Sequence, residues 1–370
     1  MINGTITNKL ARKISNACKG RNSGEVDMSF LNKGAVIGAI SAALAVLSPH
    51  AALSEADITW RIQSNLSSED PGYQILETHF LNRVEEMSGG RIEFQLQPVG
   101  ALFPIAEGLD AVGAGLVEAA TLVGGYYVGK LGPIAAIESG LPGAEHTPLE
   151  RYNFFYGAGF IDLAREAYAP HNIHYLAPYL SASWDIMSNK PLRSAADFDG
   201  LKIRTFGIEA EWYKSMGAAP VFMGGGEIYT AMSTGVIDAL RWGGPSVNLD
   251  RSFHEVAKYY VQPSPMPAPN NFIAINQAAW DTLPNDIKLM METAAAAASF
   301  EYIARTEVAN AAARKAMTEA GVEFTQIPAD EWAEMETVVR GLWRAYAETD
   351  PGLAARGVEM MNNYLVSLGR

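Results

Sequence analysis

The sequence predicts an α/β protein of two lobes. Three observations predict it: a strand–helix–strand grammar that begins at Asp57, the same grammar restarting at Ile173, and a run over 284–320 of strong helix formers with no proline or glycine beyond Pro284. Two α/β units followed by one long helix describe a pair of lobes with a common brace.

Residues 1–56 stand apart from this grammar. Lys33 precedes an apolar run over 35–48 that is shorter than the roughly 20 residues an ordinary spanning helix needs. The run has the form of a signal-peptide core, and Ser54 and Ala56 supply the small-x-small pattern of a cleavage site. Residues 1–56 are therefore expected to be an export signal that is removed, leaving a chain that begins near Asp57. Met28 is an alternative start, and it would leave the polar stretch before it without a role. Cys18, the single cysteine, falls in this region, so the remainder has neither a disulfide nor a thiol.

From Asp57 onward Ile58, Trp60 and Ile62 alternate with polar residues and predict a strand. Asp70 and Pro71 then supply a cap and a first-turn proline for a helix. Its apolar stripe is Ile75, Leu76, Phe80, Val84 and Met87, and it stops at Gly89-Gly90. A strand over 91–96 follows, parallel to the first, then a helix over 105–114 and an apolar run over 117–123. In the second unit strands are expected over 173–178, 201–204 and 220–223. Helices are expected over 196–200, 209–216 and 228–234, with Gly217 and Gly235 as stops. Residues 238–248 are read as a helix-to-strand segment. The proline-dense stretch 263–269 predicts a stiff, extended crossing between lobes before a strand over 272–276. At 1.5 Å per residue the long helix would measure about 55 Å, enough to touch both lobes. The expected division is 57–181 with about 270–309 in the first lobe, 182–269 with about 310–345 in the second, and 346–370 as a helical tail. Met360, Met361, Tyr364 and Leu365 in that tail would pack on their own chain or on a second copy in a homodimer.

The formal net charge is −13; without residues 1–56, which hold six Lys/Arg and three Asp/Glu, 22 basic residues face 38 acidic ones, a net −16. Such a surface repels polyphosphate and anionic lipid, so nucleic acid is not an expected partner. An anionic ligand would need a local cation.

Several segments now stand in order: LKIRT at 201–205, GAAPV at 217–221, EIYTA at 227–231, GVIDA at 235–239 and the stretch 276–284, all behind an export signal. In this order they resemble the extracytoplasmic solute receptors of TRAP transporters, the DctP-type family, over essentially the whole chain beyond Asp57. The resemblance implies a two-lobed periplasmic binding protein fold with interlobe crossing strands and a long bridging helix. It further implies closure on a small organic carboxylate and delivery to sodium-coupled permease subunits.

It also implies a site. In this family the arginine ending the strand that Leu201 to Arg204 form makes a two-pronged salt bridge to the ligand carboxylate, and Arg204 holds that position. A planar guanidinium fork matches a carboxylate, which supports the assignment physically; the plainer alternative is that Arg204 caps a strand end or pairs with Asp197 or Asp199. In relatives resembling keto-acid and lactate receptors, the place of Arg241 is acidic and ligates a metal that bridges to the substrate. A cation cannot ligate a metal, and no carboxylate lies between Glu255 and Asp281 to replace the missing one, so a metal-free site is expected. Arg241 would stand in for the metal or point to solvent. Trp242 and Trp184 would wall the ligand body, and the first lobe would contribute Ser67 and Tyr127 from strand ends that face the cleft. No cofactor is expected.

Other patterns carry less. MGGGE at 223–227 lacks the lysine and hydroxyl residue of a phosphate cradle. His79, His146, His171, His174 and His254 lack metal-ligand spacing, and there is no Gly-x-Ser-x-Gly elbow. The expectation is a receptor for a 2-oxo or 2-hydroxy acid or a bulky apolar or aromatic monocarboxylate. An importer- or sensor-linked binding protein, or a periplasmic lyase or dehydratase of organic acids, are the alternatives.

Overall fold

Strands and helices fall where the apolar pattern changes period, and in the computed structural model, which describes residues 56–264 and 270–370, they build two sheets. The expected export segment and the middle of the proline-dense connector lie outside the described residues. The first sheet contains β1 (Ile58–Gln63), β2 (Ile92–Gln97), β3 (Ala119–Val123), β4 (Ile173–Tyr179) and, from much later in the chain, β10 (Asn271–Asn276). Its order is β2-β1-β3-β10-β4. β1 runs parallel to β2 and β3, and β10 lies antiparallel between β3 and β4. The central strands β3 and β10 are buried along their whole length, as strands covered on both faces must be.

The second sheet contains β5 (Ile186–Ser188), β6 (Lys202–Arg204), β7 (Ala219–Val221), β8 (Ala239–Arg241), β9 (Tyr259–Gln262) and β11 (Glu323–Gln326), in the order β11-β9-β5-β8-β6-β7. β6 is parallel to its neighbours β7 and β8, whereas β5 is antiparallel to β8 and β9. Both sheets are flanked by helices, which makes the two-lobed α/β architecture explicit.

Local chemistry accounts for the first helical run. Asp70 caps it by accepting from the Gly72 amide at 2.8 Å, Pro71 occupies its first turn, and Gly89 ends it at φ 69°, a conformation that favours glycine. Its middle, Leu76–Leu81, is wound as a π-helix. The wider turn shifts the buried stripe, so Leu81 packs inside and Met87, expected inside, is 46% exposed. A second correction concerns 238–248: the segment is strand followed by helix, β8 and then Pro245–Asp250.

The long helix runs Asn285–Glu319, 35 residues. Ile287, Met291, Ala295 and Tyr302 along its first half pack with β1, β4 and β10 residues, while Met317 near its end packs with Met187, Leu240 and Tyr260 of the second sheet. The tail forms two helices, Ala329–Thr349 and Leu353–Ser367. They pack on their own chain. Trp212 donates to the Met335 carbonyl at 3.0 Å, and Tyr364 donates to the Glu150 carbonyl at 2.8 Å. Met361, Tyr364 and Leu365 are buried in that packing. Among the described residues no helix is long and apolar enough to cross a membrane.

Candidate functional site

The carboxyl ends of parallel strands from both sheets point toward one cavity of about 390 Å³. Asn65 and Ser67 follow β1, Tyr126 follows β3, Arg204 ends β6, Phe222 follows β7 and Trp242 follows β8, and all of them line it. Residues of the first lobe therefore face residues of the second across the space.

Arg204 is 0% exposed. Its Nε donates to the Met223 carbonyl at 3.2 Å and its Nη1 to the Arg241 carbonyl at 2.9 Å, while Nη2 has no hydrogen-bond partner among the described residues. Two backbone acceptors thus fix the plane of the guanidinium without neutralising it. Aromatic rings surround the charge: its Cζ lies 4.7 Å from the Trp242 ring centroid, 5.4 Å from Phe206 and 5.9 Å from Phe222. Burial draws its pKa below the usual guanidinium range, and the Tyr126 phenol acts the other way. A guanidinium remains charged at neutral pH under such a shift. Asp197, one of the acids weighed as its partner, instead accepts the Arg193 and Ser194 amides.

The aromatic wall is shared between lobes. Tyr126 meets Phe206 at 5.1 Å and Phe222 at 5.8 Å, in both cases edge to face. Trp184 and Trp242 stack at 6.2 Å with 28° between their planes. Gly225 lies against that wall: a Cβ there would come within 2.5 Å of the Trp242 ring, so the glycine-rich loop can close on the indole only without a side chain. Asn65 donates to Asn271 at 3.1 Å, which holds a polar pair at the first-lobe side of the cavity.

Of the residues singled out in the sequence, Arg204, Trp242, Trp184 and Ser67 come together on this cavity, and two do not. Tyr127 is 1% exposed and donates to the Ile105 carbonyl at 2.7 Å, behind the wall. Residues 124–127 form a tight 3₁₀ turn in which neighbouring side chains diverge, so Tyr126 faces the cavity and Tyr127 the core. Arg241 is neither exposed nor on the cavity lining. It is 1% exposed, and its Nη1 donates to Glu209 Oε2 at 2.8 Å. Its side chain alternates to the opposite face of β8 from Leu240 and is drawn to a buried carboxylate, whose own pKa burial raises and Arg241 opposes. The sequence reading missed Tyr126 and Phe222. The signals were present: Phe222 directly follows a strand and precedes three glycines in four residues. Among the described residues no three His, Cys, Asp or Glu side chains gather in a way that would hold a metal ion.

Comparisons with known proteins fit this geometry. Residues 62–350 match the DctP family, described as bacterial extracellular solute-binding protein family 7. The monocarboxylate 2-oxoacid-binding periplasmic protein of Nostoc sp. is 28% identical over 270 residues, 72% of this chain and 73% of that protein. The C4-dicarboxylate-binding periplasmic protein DctP of Rhodobacter capsulatus is 36% identical over 179 residues, 45% of this chain and 52% of the other. Among solved structures, an open, ligand-free TRAP periplasmic solute-binding protein from Rhodobacter sphaeroides superposes with a TM-score of 0.70 at 25% identity, covering 84% of this chain and 98% of that one. One from Pseudoalteromonas atlantica, with bound sodium and pyruvate, reaches 0.78 at 24% identity over 84% and 94%. These relatives are binding receptors of transporters, not enzymes, and the family is periplasmic. With two lobes, a shared cleft and a family match over most of its length, the chain belongs to the DctP family as a TRAP transporter extracytoplasmic solute receptor for small organic acids.

Proposed function

We propose that this receptor binds a monocarboxylate with an aromatic or bulky apolar body, closes its two lobes around it and presents it to TRAP permease subunits. The observation that carries the reading is the buried Arg204 guanidinium, oriented by two carbonyls with Nη2 unpartnered among the described residues, set among aromatic side chains on the cavity. A carboxylate placed there gains a charge-assisted pair of about 1.5–3 kcal/mol, and the rings of Trp184, Trp242, Tyr126 and Phe222 accept an apolar body. The cavity volume suits a small molecule. The name of the Nostoc relative supports a monocarboxylate head, a 2-oxo acid included. Ser67 contributes from the first lobe. The ring contacts of Tyr126 with Phe206 and Phe222 support closure, since they join the lobes beside the cavity. No metal takes part, because the position of Arg241 carries a cation tied to Glu209.

Titration calorimetry with pyruvate, phenylpyruvate, benzoate and succinate tests this, with and without chelator. Phenylpyruvate or benzoate is expected to bind more tightly than succinate, with no effect of chelator. Arg204→Ala is expected to weaken binding at least about tenfold. Succinate as the preferred ligand, or binding abolished by chelator, would overturn the respective part of the reading.

A further inference from the structure

Three residues of the cavity wall and one behind it form a continuous column. The Arg241 guanidinium carbon lies 5.8 Å from the Trp184 ring centroid, Trp184 stacks on Trp242 at 6.2 Å, and the Arg204 guanidinium carbon lies 4.7 Å from the Trp242 centroid. Cation, indole, indole and cation follow in order. The two ends are also tied to each other, because Arg204 Nη1 donates to the Arg241 carbonyl. Glu209 fixes the far end by accepting from Arg241 at 2.8 Å and from Thr205, the neighbour of Arg204, at 3.3 Å.

This arrangement separates two roles. Arg204 and the two tryptophans line the cavity, whereas Arg241 and Glu209 do not. Trp184 is partly exposed and stands on the segment that crosses between the lobes, with the Arg241 guanidinium on one side of its ring and Trp242 stacked beside it. A planar guanidinium on an aromatic face is attractive, and more so when both are removed from water, as Arg241 is. We propose that Arg241, held by Glu209, is a positioning residue that sets the plane of the Trp184 indole, and through the Trp184–Trp242 stack selects aromatic over aliphatic carboxylates. The inference rests on the ligand reading above and gives it a structural cause: the selective surface is supported from behind by a buried ion pair that never meets the ligand.

The test compares phenylpyruvate with pyruvate, which share the oxo-acid head, so the contribution of Arg204 cancels in the ratio of their dissociation constants. The variants are Arg241→Gln with Glu209→Gln, which removes both charges of the buried pair together, and Arg241→Lys, which keeps the charge and loses the planar face. Cooperative thermal unfolding establishes that each is folded, and Arg241→Lys serves alone if the double variant is not. The preference for phenylpyruvate is expected to fall about tenfold in the double variant and at least about threefold in Arg241→Lys. The circular-dichroism couplet of the stacked indoles is expected to shrink in both. A ratio within about twofold of the parent's in both variants, or equal losses for the two probes, overturns the proposal. A parent with no preference for phenylpyruvate overturns the ligand reading and the selection with it; the indole couplet then judges the positioning alone, and an unchanged couplet overturns that as well.

Discussion

Arg151 in the first lobe and Arg204 in the second are buried alike, at 1% and 0% exposure, yet their guanidinium groups have different neighbours. Arg151 donates to the Glu145 carboxylate at 2.8 Å and to the Glu138 carbonyl at 2.6 Å. Arg204 meets two carbonyls and several rings, and no carboxylate. A buried cation is costly unless an anion compensates it. In the first lobe the fold supplies the anion, so the pair belongs to the core. In the second, Glu209 is paired to Arg241 and acts on Arg204 only from a distance, the aromatic faces are partial substitutes, and on the proposed reading a ligand carboxylate completes the compensation. Arg241 lies in the same lobe but follows the first pattern, through Glu209.

Arg151→Ala would break this comparison most forcefully. It leaves Glu145, whose carboxyl pKa burial already raises, fully buried without its cation, and about 3–5 kcal/mol of unfolding free energy is expected to be lost in a denaturant titration. Arg204→Ala, by contrast, opens toward the cavity, and its stability is expected to stay within about 1 kcal/mol of the parent's. Equal destabilisation by the two would remove the distinction between a core arginine and a ligand arginine.

A pH profile sharpens the first-lobe side. Glu138 is fully buried beside Arg151, Tyr168, Tyr175 and Asn270, and burial pushes its carboxyl up to about 7 against the opposing hydrogen bonds. Because the folded-state pKa is raised, the folded protein holds a proton that the unfolded chain has released. Stability is therefore expected to fall as pH rises from the ordinary carboxylate range through about 7, by about 3 kcal/mol at most. Melting temperatures measured across that range should fall less steeply in Glu138→Gln, with buried Asp185, its carboxyl pushed up to about 6, contributing the remaining slope. A parent whose melting temperature rises over the same interval would show that the acid is ionised throughout.

The smallest effect belongs to the exposed pair Arg356–Glu166, at 2.7 Å and half exposed on both sides. It has the geometry of the Arg151 pair without its burial. Arg356→Ala is expected to leave the melting temperature within about a degree. A larger drop would mean that the tail depends on charge and not on its buried Met361, Tyr364 and Leu365.

Legibility in the sequence followed the range of the forces involved. β1, β2, β10 and the long helix could be read because their periodicity is local, and Arg204 because it ends a strand whose neighbours in sequence are distinctive. Tyr126 and Tyr127 could not be told apart, since one residue of turn geometry decides which of them faces the cavity. Arg241 was expected at the site or in solvent because its position is a metal ligand in the relatives the sequence resembles, yet Glu209, 32 residues away, draws it behind the wall. Met87 was misplaced because no local pattern announces a π turn. Residues 124–172 offered little, and their helices Pro133–Ser139, Pro148–Tyr156 and Phe160–Tyr168 are held by partners that include the tail, as Tyr364 against Phe154 shows.

The position of β10 has a consequence for how the molecule comes into being. β5 to β9 follow one another along the chain, and of the second sheet only the edge strand β11 is made later. The first sheet has its gap in the middle: β3 and β4 have no contact across it until residues 271–276 arrive, after all five consecutive strands of the other sheet have been synthesised. Pairing over such separations is slow. On a growing chain the first sheet therefore stays open at its centre until the second lacks only its edge strand.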